Sequence, residues 1–334
     1  MDFYRLLLAA LLFPAGLWAC SFADAQENPQ QPKETIRVSV DRVNVGVVVT
    51  DSQGHFVEGL PREDFHVFDN GIEQPLTGFA AIEEPAQVLL LIEAGPAVYL
   101  LEGGHIQAAF AMLNGLGGGD RIAVVKYADS PTALLDFTVD KQAAFAAFGQ
   151  LRFNLGFGSL NLSISVAKVL EWLASVQGKK TIVLLATGVD TSPPDEFASV
   201  IQQLRTSDVR LLAVSLTAGL RNPPPSGKKK VPVPNSAQVA QQFEQADQIL
   251  KRMAEATGGR AYFPGNAKEF NAVYAEIARL VRHEYSLAFA PPVRDGLPHS
   301  IEVRVDAAQN PVAKTLGSPY RVDHRQAYLA PAPR

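Results

Sequence analysis

The chain has one cysteine, Cys20, in 334 residues. A lone cysteine excludes an internal disulfide and a cysteine-based zinc site. Charge is also sparse, with 19% charged residues and a formal net charge of −4. That is too little charge for a disordered chain, and no basic stripe is present of the kind a nucleic-acid binder carries. After the first 25 residues no apolar run reaches the roughly 18 residues needed to span a membrane. The six histidines are scattered, and no H-x-x-x-H pair points to zinc. No carboxylate pair stands out as a general acid and base. Gly117-Gly118-Gly119 lacks G-x-G-x-x-G spacing and precedes an expected strand, the reverse of a phosphate loop, so it reads as a helix-to-strand turn. Ser165-Val166-Ala167-Lys168 fits the S-x-x-K pattern of penicillin-interacting serine enzymes, but no Lys-Thr-Gly triad accompanies it. What the chain does have is apolar material: 47% of its residues are hydrophobic, enough for a full core in one large or two modest domains.

Residues 1–25 read as an export signal. Arg5 precedes the apolar run Leu6 to Phe13, Pro14 and Gly16 break it, and Ala23-Asp24-Ala25 offers small residues for cleavage after Ala25. An alternative uses Cys20. Leu17-Trp18-Ala19-Cys20 resembles a lipoprotein cleavage box that would leave a lipid anchor on Cys20, although bulky Trp18 fits it poorly. Both readings place the chain outside the cytoplasm, secreted or periplasmic in the first and anchored in the second. Residues 26–34, polar and proline-bearing, are expected to form a flexible leader.

Residues 35–84 read as a β-rich, sandwich-like segment. Val43, Val45, Val47 and Val49 share one strand face, and Asp69-Asn70-Gly71 is a tight-turn signal. From 85 to 284 the pattern changes to alternating strands and helices. Ala86 to Glu93, Arg121 to Tyr127, Thr132 to Phe137, Thr181 to Leu185 and Val209 to Leu216 are strand runs. Helices are expected near 98–115, 140–151, 160–176, 195–206, 238–257 and 267–283. Such alternation implies an α/β fold with a mainly parallel sheet and helices on both faces. Residues 218–237 interrupt it with Pro223-Pro224-Pro225 and Lys228-Lys229-Lys230. This loop follows a strand, so it belongs on the carboxyl edge, where α/β sheets bind ligands; its three lysines are a candidate surface for an acidic partner. Residues 285–334 return to strands and a tail.

Three stretches carry a family resemblance: Val88 to Glu93, Asp120 to Val125, and Lys179 to Gly188. In this order and spacing they resemble a von Willebrand factor type A domain. Gly59 to Phe65 with Asp69-Asn70-Gly71, and Tyr285 to Pro291 with His299 to Val305, resemble the flanks of acidobacterial proteins related to that family. The resemblance runs from about residue 36 to 328. It implies a three-layer, Rossmann-like α/β/α domain with small β-rich segments at both ends. It also implies a metal-ion-dependent adhesion site on the upper sheet edge.

That site in the family reads Asp-x-Ser-x-Ser, then a Thr, then an Asp. Magnesium needs six oxygens and carboxylate charge around it. Here the matching positions are Glu93, Gly95, Ala97, Ser159 and Thr187, which leave one carboxylate and two hydroxyls. The site is therefore expected to be degenerate, holding no metal and no cofactor. Glu93 is expected to accept backbone hydrogen bonds at its strand end, with a raised pKa if it is buried without a cation. Asp190 is expected to bond its own turn.

The expected function is an exported, non-enzymatic, adhesion-type module that binds a protein partner in the cell envelope or outside the cell, without metal. One alternative is a metal-dependent adhesin that holds magnesium through Glu93, Ser159 and Thr187. Another is a cell-wall serine hydrolase acting through Ser165.

Overall fold

A computed structural model describes residues 42–82, 85–95, 104–151, 158–217, 236–306 and 320–333. All of these fall in one unit, Val40–Arg334; the other, Met1–Ser39, lies outside the described residues, as do the cleavage site Ala25 and the lipidation candidate Cys20.

The central element is a six-stranded sheet. Its strands are β5 (Ala86–Glu93), β6 (Arg121–Tyr127), β7 (Pro131–Thr138), β8 (Lys179–Ala186), β9 (Val209–Ser215) and β10 (Ala261–Tyr262), in the order β10-β9-β8-β5-β6-β7. All neighbours are parallel except β6 and β7. Six helices are described: α1 (Gly104–Gly115), α2 (Lys141–Phe148), α3 (Leu162–Leu173), α4 (Pro194–Thr206), α5 (Ser236–Ala256) and α6 (Ala267–Arg282). The layers explain the unbroken apolar runs. Val88, Leu90 and Ile92 of β5 join one core with α1, α2 and α6. Leu89 and Leu91 join another with α3, α4 and α5. A strand covered on both faces has no polar side to alternate with.

The flanking segments form two antiparallel four-stranded sheets. The first has the order β13-β1-β11-β4, from β1 (Val43–Thr50), β4 (Leu76–Ile82), β11 (Glu284–Phe289) and β13 (Arg321–His324). The second has the order β14-β12-β2-β3, from β2 (Phe65–Asp69), β3 (Ile72–Gln74), β12 (Pro298–Val305) and β14 (Ala327–Leu329). Val43, Val45, Val47 and Val49 pack with Phe65, Val67, Leu287, Phe289, Ile301 and Val303 in one core between the sheets. The described segments on either side of the α/β unit thus build a single sandwich, and that unit is inserted between β4 and β11. Val48, on the opposite face of β1, joins the core of the α/β unit.

Helix ends show local chemistry at work. Asp140 caps α2 by accepting from Gln142 N at 2.8 Å and Ala143 N at 3.2 Å. Asn266 caps α6 by accepting from Lys268 N and Glu269 N, while Glu269 accepts in turn from Gly265 N at 2.6 Å. Each bond satisfies an amide that has no partner within its helix. The Gly117–Gly119 segment is the turn expected of it: Asp120 accepts from Gly117 N at 2.6 Å and from Ala86 N at 2.8 Å, tying α1 to the starts of β5 and β6.

Candidate functional site at the carboxyl edge of the central sheet

The chain leaves β5 toward β6 and β7 on one side, then returns to place β8, β9 and β10 on the other. The carboxyl ends of β5 and β8 therefore flank the point where strand order reverses, the usual crevice of an open α/β sheet. Glu93 ends β5, and Thr187 directly follows β8.

Glu93 is fully buried. Its Oε2 accepts from Thr187 N at 2.7 Å, Thr187 Oγ1 at 2.8 Å and Tyr127 Oη at 3.3 Å. Burial pushes the Glu93 carboxyl upward, and the bonds from Thr187 and Tyr127 work against that rise. Burial, with the carboxylate beside it, also holds the Tyr127 phenol well above its ordinary value, so it remains a donor. Oε1 is buried without a hydrogen-bond partner.

The loops above this carboxylate are tied to one another. Asn161 N donates to Ala128 O, and Asn161 Nδ2 donates to Asp129 O and Asp129 Oδ1. Thr191 Oγ1 donates to Asn161 Oδ1 and accepts from Leu160 N at 2.9 Å, while Thr191 N donates to Leu160 O. Asn161 sits at the N-cap of α3 but makes no side-chain cap bond there. Asp190 caps α3 from the neighbouring loop instead, accepting from Ser163 N at 3.2 Å and from Ser163 Oγ. Its other oxygen accepts from Ser192 N at 3.0 Å, the turn bond expected from sequence.

These ties hold Leu160 over Gly95. A Cβ at Gly95 would lie 2.9 Å from Leu160 Cδ2 and 3.2 Å from Glu93 Oε1. Gly188 is required for a different reason: its φ is +82°, and a Cβ would strike Ala246 O of α5 at 2.3 Å.

The residues singled out from sequence divide sharply. Glu93, Gly95 and Thr187 come together. Ser159 is exposed, and its neighbour Leu160 points inward. Ala97 and the three lysines Lys228, Lys229 and Lys230 lie outside the described residues. The end of the proposed 218–237 loop is helical instead, because α5 begins at Ser236. Ser165 is fully buried in α3 and Lys168 is exposed, so the two do not share a solvent-facing site. Tyr127, Leu160, Asn161 and Thr191 were missed by sequence reasoning. Only Asn161 carried a signal, as a polar residue just before an amphipathic helix.

No family model matches the chain, and no curated protein does. Among solved structures the chain is similar to a von Willebrand factor type A protein from Catenulispora acidiphila, at 13% identity and a TM-score of 0.44, covering 80% of this chain and 74% of that one. It is also similar to an aerotolerance-related membrane protein from Bacteroides fragilis, at 11% identity and 0.44, covering 59% and 98%. A third is the vWF domain of the type V pili tip protein Mfa5 from Porphyromonas gingivalis, at 12% identity and 0.42, covering 60% and 96%.

Glu93 Oε2 is engaged by three donors, and the space beside Gly95 holds the methyl groups of Leu160. Magnesium would need near-octahedral oxygen ligation and offsetting negative charge. Among the described residues no cluster of three or more His, Cys, Asp or Glu is arranged to hold a metal, and no helix is long and apolar enough to cross a membrane.

Proposed function

We propose that this chain is an exported, non-enzymatic, adhesion-type module that binds a protein partner in the cell envelope or outside the cell. Its binding surface is the carboxyl edge of the central sheet, and it works without metal. The observation that carries this reading is the internal use of Glu93: Thr187 and Tyr127 occupy the carboxylate that a metal-dependent relative would turn toward an ion. Val189 (42% exposed), beyond Thr187, and Phe263 (37% exposed), beyond β10, supply apolar surface on the same edge. Exposed apolar side chains of this kind suit protein contacts better than small polar ligands. Lys228, Lys229 and Lys230, read from the sequence alone, are the proposed contacts for an acidic partner. Export rests on the amino-terminal signal read from the sequence, with lipidation at Cys20 as the alternative.

One observation favours a second reading. The unpartnered Oε1 of Glu93 is an acceptor without a donor, as a weakly held cation would leave it. In that reading the protein is a metal-dependent adhesin with an altered magnesium site.

Capture from an envelope extract separates the two. Binding that persists in EDTA and is lost in the Val189→Arg, Phe263→Arg double variant supports the metal-free edge. Binding abolished by EDTA and restored by magnesium, together with a tight calorimetric titration of magnesium, calcium or manganese, overturns it.

A further inference from the structure

At the opposite end of the central sheet a cleft of about 550 Å³ opens between the first sheet of the sandwich and the starts of β8 and β9. Its sandwich wall is formed by residues of β1, β4 and β11, mostly on the face that points away from the sandwich core. Several of these are small: Gly46, Gly78, Ala80 and Ala288. Toward the other end of this face Val48 reaches the α/β core. The two glycines make room for charged side chains: a Cβ at Gly46 would collide with the Glu284 carboxylate, and one at Gly78 with the Arg42 guanidinium.

Five cations line the cleft: Arg42, Lys179, Lys180, Arg210 and Arg325. Only two carboxylates do, Asp208 and Glu284. Lys180 pairs with Asp208 at 2.7 Å. Glu284 is shared by Arg210 at 2.9 Å and Lys179 at 3.7 Å. Arg42 and Arg325 have no ion pair among the described residues. Arg325 donates to two backbone carbonyls, Asn44 O at 2.7 Å on one wall and Ser207 O at 3.3 Å on the other. Its Nε is buried without a partner. Among the described residues the lining thus holds more cations than carboxylates, in a chain whose net charge is −4. Crowding like charges is unfavourable unless an anion answers them, the more so for the largely buried Arg325.

We propose that this cleft is a binding site for a small polyanionic molecule, one carrying two or more carboxylate or phosphate groups. The volume suits a small ligand, for which pockets run from about 300 to 1,000 Å³. It is also closed on two sides by protein, unlike a flat macromolecular interface. Guanidinium groups present paired N–H donors that match the two oxygens of a carboxylate or phosphate. Arg325 and Arg42 supply the unpaired charge. Lys180 and Arg210 line the same recess, each paired with a carboxylate. The site is far from Glu93 and Thr187: Lys180 and Thr187 are seven residues apart along one extended strand, roughly 23 Å. It therefore stands or falls independently of the carboxyl-edge reading.

Calorimetric titration of the whole chain with citrate and with inorganic pyrophosphate, checked by thermal melts, tests the proposal. At least one anion binds with a stoichiometry of one, raises Tm and binds more weakly as salt increases. Citrate alone assigns carboxylates, pyrophosphate alone assigns phosphates, and either supports the site. Arg325→Gln and Arg42→Gln each weaken binding by about tenfold. Arg42 is exposed, so its variant carries the test should Arg325→Gln fail to fold. No binding of either anion up to about 10 mM, or equal binding in wild type and both folded variants, overturns the proposal.

Discussion

Thr187 donates both its backbone N–H and its hydroxyl to the same oxygen of Glu93, at 2.7 and 2.8 Å. The carboxyl ends of two adjacent central strands are joined by this pair of bonds. Burial still dominates the carboxyl and raises its pKa above the ordinary 4.5. The folded protein then keeps a proton that the unfolded chain has released. Glu93 favours folding most below pH 4.5, and that contribution is lost as pH rises through the raised folded value. Glu93→Gln keeps an acceptor for Thr187 and cannot ionise. The variant should gain on wild type in Tm as pH rises above 4.5. Parallel melting curves across that range would contradict this account.

Gly95 lies against Leu160. A methyl at position 95 would press on the Leu160 side chain at 2.9 Å, so Gly95→Ala should cost about 1–2 kcal/mol. Shortening the obstacle relieves the strain. In urea unfolding, Gly95→Ala should therefore be milder in a Leu160→Ala background, with a coupling of at least about 0.5 kcal/mol. Simple additivity of the two changes would mean that Leu160 does not fill the space beside Gly95.

The sandwich has its own titrating group. His299 is buried between two carboxylates, with Nδ1 2.9 Å from Asp69 Oδ1 and Nε2 3.1 Å from Asp295 Oδ2, and Tyr328 Oη donates to Asp69 Oδ2. The hydrogen bond to Asp295, against the cost of burial and with help from Asp69, raises the imidazole above 6.5. A raised histidine stabilises fully below pH 6.5, and the gain disappears as pH climbs through the folded value. Wild type should lose stability upward from pH 6.5, and His299→Asn should lack that slope. The same slope in the variant would place its source elsewhere.

Arg260 ties the sandwich to the α/β unit. Its guanidinium donates to Asp323 Oδ2 of β13 at 2.5 and 2.9 Å, to Glu276 Oε1 of α6 at 3.0 Å and to Thr50 Oγ1 of β1 at 3.0 Å. Removing one partner of such a low-exposure network leaves the others uncompensated. Arg260→Ala should cost about 3 kcal/mol in urea unfolding. Arg260→Lys should recover only part of it, because an ammonium cannot hold this fork of bonds. A loss below about 1 kcal/mol for the alanine variant would show that the network contributes little.

How much of this was legible in the sequence depended on range. Arg121 to Tyr127 was read as a strand to the residue, and Val166, Leu170 and Leu173 share the buried face of α3. Asp190 bonds Ser192 as its turn chemistry predicts, yet its bond to Ser163 of another loop was invisible. Ser159 was matched to the family's threonine through the resemblance; that its neighbour Leu160 lies against Gly95 was not legible in the sequence.

The sequence by itself determined which segments are strands and helices. Burial on one face or on two writes a period of 3.6, of two, or an unbroken run into neighbouring residues. It also marked Glu93, Gly95 and Thr187 as neighbours at the carboxyl edge, through the family resemblance. Only the tertiary structure decided that β1 pairs with β11 across the inserted domain, that Leu160 covers Gly95, and that Arg42, Arg210 and Arg325 meet in one cleft. These neighbours are far apart in the chain. Their meeting follows from sheet pairing and close packing, which no local pattern encodes.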